Sequence, residues 1–298
     1  MSTTSLPIER PATPARGAPR RAPRLAVSPA QAAIYLVMLL VALSSLLPFV
    51  WAFLTSLKVE RQVYAFPPQI LPNPITSYNY FQAINHGLLL ALFNSLFVSL
   101  VTVGLVLAAG SLAAYPLARM TFRGSQVVLF LILIPMMIPG LVNLVPTYII
   151  MAKLGLLDSY QGLILIYWVH SLPIAIWVLR GFFQQLPREL EDAASVDGAS
   201  RLRILWSIVV PLSQPALAAV ALLVFINSWN EFVIASIMTS SVLMRTAQVF
   251  LYTNMTDVGV NWGEMMASGL ATNLPVLALF LLLQRRFISG LTAGALKT

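Results

Sequence analysis

Pro187-Arg188-Glu189-Leu190-Glu191-Asp192-Ala193-Ala194-Ser195-Val196-Asp197-Gly198-Ala199-Ser200 is the polar stretch around which the rest of the chain is arranged. It interrupts an apolar sequence and holds Glu189, Glu191, Asp192 and Asp197, four of the chain's 10 acidic residues. Pro187 suits the first position of a helix, and carboxylates in the first turn favour the positive end of the helix dipole. Gly198 can take the left-handed conformation that ends the helix, and Ser200 can cap the next one. Such a helix has about three turns, too short and too charged to cross a bilayer. Leu190, Ala193, Ala194 and Asp197, at i, i+3, i+4 and i+7, share one face. The two alanines let another surface approach that face closely. The pattern predicts a peg that enters a groove on a partner; an ordinary solvated loop is the alternative.

Outside this stretch the composition is that of a membrane protein. Hydrophobic residues make up 58% and charged residues 9%, against about 25% charged in soluble domains. No cysteine is present, which excludes disulfides and thiolate metal sites. The net charge of +8 comes without the basic and aromatic surface stretch that single-stranded nucleic acid requires. Residues 1–30 are rich in Pro, Ala, Ser and Thr and carry Arg10, Arg16, Arg20, Arg21 and Arg24. They read as a disordered basic tail. The apolar run that follows is too long for a signal-peptide core and lacks a clear small-x-small cleavage site, so a retained anchor is expected.

Six apolar runs are each long enough to span roughly 30 Å as a helix. They cover about 31–57, 89–117, 127–151, 162–183, 205–231 and 265–283. The third carries Pro135, Pro139, Gly140 and Pro146, and the fifth has Pro211 and Pro215 in its first turns. The runs are continuous, whereas a β-barrel would need short alternating segments. The expected fold is therefore an all-α membrane protein with six transmembrane helices. An amino terminus inside puts 14 of the 18 basic residues in the cytoplasm and leaves only Lys58, Arg61, Lys153 and Arg245 outside. Both termini and the peg are then cytoplasmic. Two longer outer connections, roughly 58–87 and 232–264, are either docking sites or lids.

Asp192-Ala193-Ala194, then Gly198, then Ile208 and Pro211, have the spacing of the "EAA" loop of bacterial ABC importer permeases. Asn94-Ser95-Leu96, Trp229-Asn230-Glu231-Phe232 and the tail Gly290-Leu291-Thr292-Ala293-Gly294-Ala295-Leu296-Lys297 extend the match. The chain resembles the shorter permease subunit of the maltose-type carbohydrate importers over nearly everything after residue 30. Asp192 stands where that family usually has glutamate, and Val210 where leucine is common.

The resemblance implies a type I ABC importer permease fold with a transmembrane permease domain over 31–289 and a cytoplasmic tail over 290–298. It implies a second permease, two copies of a cytoplasmic ATPase that hold ATP and Mg, and an extracytoplasmic sugar-binding protein. This chain would itself bind no cofactor and no metal. Glu189, Leu190, Glu191, Asp192, Ala193, Ala194, Asp197, Gly198, Arg201 and Arg203 would form the coupling site. Arg201 and Arg203 equally suit topology markers that meet lipid phosphates. Thr292, Gly294 and Lys297 would reach the ATPase. The cargo would be a di- or oligosaccharide, with a polyol or a glycerol-phosphate derivative as alternatives.

Asn94, Asn143, His170, Asn227, Trp229, Asn230 and Glu231 are the candidate substrate-path residues, because sugars are held by hydrogen-bonding side chains and stacked aromatics. His170 equally suits an interhelical hydrogen bond. The proline-broken third run needs partners for its freed carbonyls, which protein or a water-lined cavity can supply. There is no phosphate-binding loop and no His-Glu-x-x-His motif, so the chain reads as a transport subunit and not an enzyme. An ion-driven carrier would want carboxylates deep in the bundle and repeat symmetry, and neither is evident.

Overall fold

A lone proline removes one bond from a helix ladder, whereas closely spaced prolines remove enough to break it. That difference sorts the apolar runs. A computed structural model describes residues 29–256 and 259–295, with side chains as far as Gln284. Its helices are α1 (Pro29–Ser56), α2 (Glu60–Val63), α3 (Tyr78–Asn85), α4 (Leu88–Arg119), α5 (Ser125–Leu133), α6 (Leu144–Lys153) and α7 (Tyr160–Gln185). There follow α8 (Glu189–Val196), α9 (Arg201–Ile204), α10 (Val210–Leu212), α11 (Gln214–Asn230), α12 (Val233–Met238), α13 (Ala247–Thr253) and α14 (Trp262–Ala295). A two-residue hairpin, Met255–Thr256 with Gly259–Val260, precedes α14.

The chain divides between Leu47 and Pro48 into two units. In the first, the apolar side chains of α1, such as Ile34, Leu39 and Leu47, are exposed. The second holds every other helix. α1, α4, α7 and α14 each contain one internal proline (Pro48, Pro116, Pro173, Pro275) and stay continuous. All four are long and apolar enough to cross a membrane.

The proline-rich third run is broken, as its prolines suggest, and the fifth, expected as one span with prolines in its first turns, is sharply bent. The third becomes two segments, 125–137 and 140–153, that meet at 90°. Ile138 is extended before Pro139, as a residue preceding proline prefers. The fifth is bent by 81° between 201–212 and 214–230. Pro215 sits at the start of α11, where its missing N–H breaks no bond. The count of six spans holds only if each bent pair is one span.

α4, α7 and α11 form the core. Val106, Ala114, Ala175, Leu179, Phe183, Val209 and Val224 are buried in one cluster. At one end of these helices the chain is fastened by polar side chains. Asn94 donates to the carbonyls of Leu243 (2.8 Å) and Arg245 (2.9 Å) and accepts from Tyr160 Oη (2.6 Å). Ser95 Oγ accepts from Ala247 N at 2.8 Å. Asp158 accepts from Ser240 N and Ser241 N. The Ser241 amide is the main reason its carboxyl is held below the ordinary carboxylate range.

The connection read as a mixed loop over 232–264 is therefore built from α12, α13 and the hairpin, and is pinned to the helix starts. The basic tail as far as residue 28, and Lys297, lie outside the described residues. Thr292 and Gly294 fall where only the backbone is described, and the helix there continues through Ala295.

Asn94 is fully buried and its amide is engaged on both sides, so its removal strands two carbonyls and a phenol. Asn94→Ala is expected to cost about 2 kcal/mol, read as a lowered unfolding midpoint of the detergent-solubilised protein.

Candidate functional site

The peg folds as α8, but one step later than expected. Pro187 lies outside the helix; Arg188 is its N-cap and Glu189 its first residue. The end follows the sequence closely. Gly198 has φ +80°, and Ala199 N donates back to Ala194 O at 2.9 Å, the pattern of a glycine-terminated helix. Ser200 Oγ then accepts from Arg203 N and caps α9. Glu189, Glu191 and Asp192 all stand in the first turn.

Which side of α8 faces out differs from the expectation. Ala194 is turned inward and packs on the core with Ala199. Val196, absent from the expected face, is 88% exposed and stands near Leu190, Ala193 and Asp197, all exposed. An exposed valine one turn after Ala193 extends the apolar strip that a partner groove would cover.

Glu191 is the larger correction. It does not project outward with its neighbours; it is tied to α4. Its Oε1 lies 2.6 Å from Arg119 Nε, with both side chains nearly buried. Its Oε2 accepts from Tyr115 Oη at 2.9 Å. Arg119 Nη2 also donates to Leu186 O (2.8 Å), and Arg180 Nε to Leu117 O (3.1 Å). The carboxyl ends of α4 and α7 are thus clamped together, with α8 fastened beneath them. The sequence treats Arg119 only as a topology marker; its one local signal is a cation in the last turn of a long helix.

Beside the clamp lies a polar cavity of about 360 Å³. Tyr115, Arg188, Asp192 and Arg201 are among its walls. Arg203 lines a second hollow with Ala194 and Asp197. Both arginines are exposed, so either can meet a partner's acids.

The substrate-path candidates separate into two groups. His170 and Asn227 line one cavity of about 300 Å³ with Tyr167, Ser171, Ser228 and Glu231. Met136 of the broken third run completes a wall. Ser228 Oγ is buried without a hydrogen-bond partner. Asn94 is a structural pin, as described above. Trp229 is buried and stacked on Phe225, 5.4 Å between centroids. Asn230 accepts only a long bond from Gln248 (3.4 Å). Asn143 is half-buried at the turn before α6 and does not line the cavity.

Glu231 lines the cavity but is already engaged. Its oxygens accept from Ile234 N (2.7 Å), Ala235 N (2.9 Å) and Tyr167 Oη (2.9 Å). A carboxylate three residues before free amides is a helix-capping pattern that can be found in sequence. No group of three or more His, Cys, Asp or Glu side chains able to hold a metal occurs among the described residues.

Residues 106–292 match the family of binding-protein-dependent transport system inner membrane components. The chain belongs to this family. It is a transport permease subunit and a multi-pass membrane protein. The matched segment contains the clamp, α8 and the cavity. The chain is 38% identical over 255 residues to the sulfoquinovosyl glycerol transport system permease of Agrobacterium fabrum, covering 85% of this chain and 90% of that one. It is 36% identical over 269 residues to the trehalose/maltose transport system permease of Thermococcus litoralis, covering 87% and 94%. A crystal structure of a bacterial ABC transporter that imports the acidic polysaccharide alginate contains a chain of the same fold. It has TM-score 0.75 and 25% identity, covering 86% of this chain and 95% of that chain.

The permease's clamp gives a direct prediction. Arg119→Met leaves Glu191 buried without its cation, a loss of about 3–5 kcal/mol where a buried pair is broken. Increased proteolysis at α8 with α4 and α7 still folded is the expected result, and Arg119→Met with Glu191→Gln should restore much of the protection.

Proposed function

We propose that this permease is one half of the membrane conduit of an ATP-driven sugar importer. Its termini and α8 face the cytoplasm, as the distribution of basic residues favours. A second permease completes the conduit, two copies of a cytoplasmic ATPase receive the pegs, and an extracytoplasmic binding protein delivers the sugar. ATP and Mg belong to the ATPase. The observation that carries this reading is α8: a short acidic helix with an exposed Leu190–Ala193–Val196 strip, held to two spans by a buried ion pair. The family's dependence on a binding protein and the sugar-transporting relatives support the rest.

The cavity supports an uncharged sugar in preference to a glycerol phosphate. Its described walls offer a phenol, an imidazole, two hydroxyls and an amide, together with the capping carboxylate, and no Lys or Arg. A phosphate passing this wall would meet Glu231 without a compensating cation. Glu231 is also the one carboxylate of this cavity and is held by Tyr167 and the two capping amides, so the cavity's described walls offer no free acid to an ion-driven carrier.

Two measurements test these statements. Val196→Glu places a charge on the exposed strip without disturbing the core. It is expected to reduce sugar-stimulated ATP hydrolysis and uptake about tenfold while the permease pair still assembles, since a buried unpaired charge at a docking surface costs more than 1.4 kcal/mol. Normal uptake would remove α8 from the coupling role. Asn227→Leu is expected to slow uptake with ATPase assembly unchanged, and an unaltered transport rate would remove this chain from the sugar path.

A further inference from the structure

Lys58 is a cation in an unusual place. It follows the apolar run of α1, yet it is only 3% exposed. Its Nζ donates to Gln69 O at 2.6 Å and stands 4.9 Å from the centre of the Trp51 ring. Among the described residues no carboxylate lies within ion-pair distance of it; the ion pairs there join other residues. A buried ammonium with one carbonyl and one ring face still has donors to spare, and a buried charge is costly unless it is paired.

Beside it is a cavity of about 310 Å³, lined by Trp51, Thr55, Lys58, Tyr64, Trp262 and Met266. Thr55 is 5% exposed, and its Oγ1 has no hydrogen-bond partner. The pocket therefore offers a cation and a hydroxyl in need of acceptors. Three aromatic side chains at its rim, Trp51, Tyr64 and Trp262, are substantially exposed. Tyr64 is held in place by a bond from its Oη to Val260 O, 2.6 Å.

The position of the pocket identifies the acceptor. Trp51 lies in the last two turns of α1, and Trp262 is the first residue of α14. Both helices are long and apolar enough to be spans, so the pocket opens where hydrocarbon gives way to water. Tryptophan and tyrosine concentrate at that level. The next connection exposes Phe66 (96%), Ile70, Leu71 and Ile75, a surface suited to acyl chains.

We propose that this pocket binds the anionic headgroup of a membrane phospholipid, with Lys58 Nζ and Thr55 Oγ1 donating to its phosphate oxygens and Trp51 and Trp262 flanking its glycerol region. The proposal rests on the chain being a membrane permease and is independent of the coupling role of α8. The lipid ties the start of α14 to the end of α1 at the face opposite the peg.

The test uses the assembled transporter, delipidated in mild detergent and titrated with phosphatidylglycerol or phosphatidylcholine. Retained lipid is counted by native mass spectrometry. Wild type should retain phosphatidylglycerol preferentially, and Lys58→Gln should weaken that retention at least about fivefold. Thr55→Met, which fills the cavity and keeps the cation, should weaken it as well and serves where Lys58→Gln fails to assemble. Equal retention of the two lipids, or wild-type retention in both variants, overturns the proposal. So does displacement of the lipid by millimolar inorganic phosphate or by maltose, which would make this a site for a free anion or for sugar.

Discussion

The Arg119–Glu191 ion pair is the constraint on which the rest of the molecule depends. A guanidinium and a carboxylate 2.6 Å apart and almost out of water are not a cheap fastening, because desolvation offsets much of their attraction. What makes the pair effective is its company. Tyr115 uses the second carboxylate oxygen, and Leu186 O takes another guanidinium proton. With Oε2 and Nη2 bonded as well, separating the two charges costs more than moving them together. The peg is therefore fastened to the ends of α4 and α7.

A rigid end is useful only if something near it can bend. The 81° break between residues 201–212 and 214–230 supplies that point. Ser213 at the corner is fully buried and its Oγ has no partner. The preceding turn, Leu205–Val209, is wound as a π-helix, a form found where a helix is under local demand. A push on α8 reaches α9 directly through the Gly198 turn and meets α11 only after this corner. If α8 has the proposed coupling role, force on it would divide: the clamp would carry it to α4 and α7, and the corner would let α11 respond by a different angle.

The sequence makes some of this plain and hides the rest for physical reasons. Continuous apolar runs, the Gly198 stop and the Ser200 cap are local, so they can be read from neighbouring residues. The clamp is not local: Tyr115 and Glu191 are 76 positions apart, and nothing near Glu191 distinguishes it from Glu189 or Asp192. The facing of Ala194 and Val196 is hidden because a helix of eight residues has room for two plausible apolar strips, and only the position of α4 chooses between them. Asn94 illustrates the converse error. A polar residue in an apolar span suggests a ligand contact, yet its three partners lie in segments 66 to 151 residues away. The prolines of the third run announce its break, whereas Pro211 and Pro215 look like the first turn of a single fifth span; the angles of both depend on what each half packs against.

The clamp and the cavity share helices, the geometry that the proposed coupling would use to link them. α7 carries His170 in the cavity wall and ends at Gln185 beside the clamp, a separation of about 22 Å along the helix axis. α11 carries Asn227 and Ser228 in the same wall and begins at the bend. Under the proposed coupling, a rotation of the clamped end would shift His170 relative to Asn227, since the two stand on different helices that line one cavity. A cavity whose hydrogen-bonding groups change spacing would bind a sugar with different strength before and after the change. In the proposed importer, such a difference in affinity would let work done on the peg bias the direction of transport.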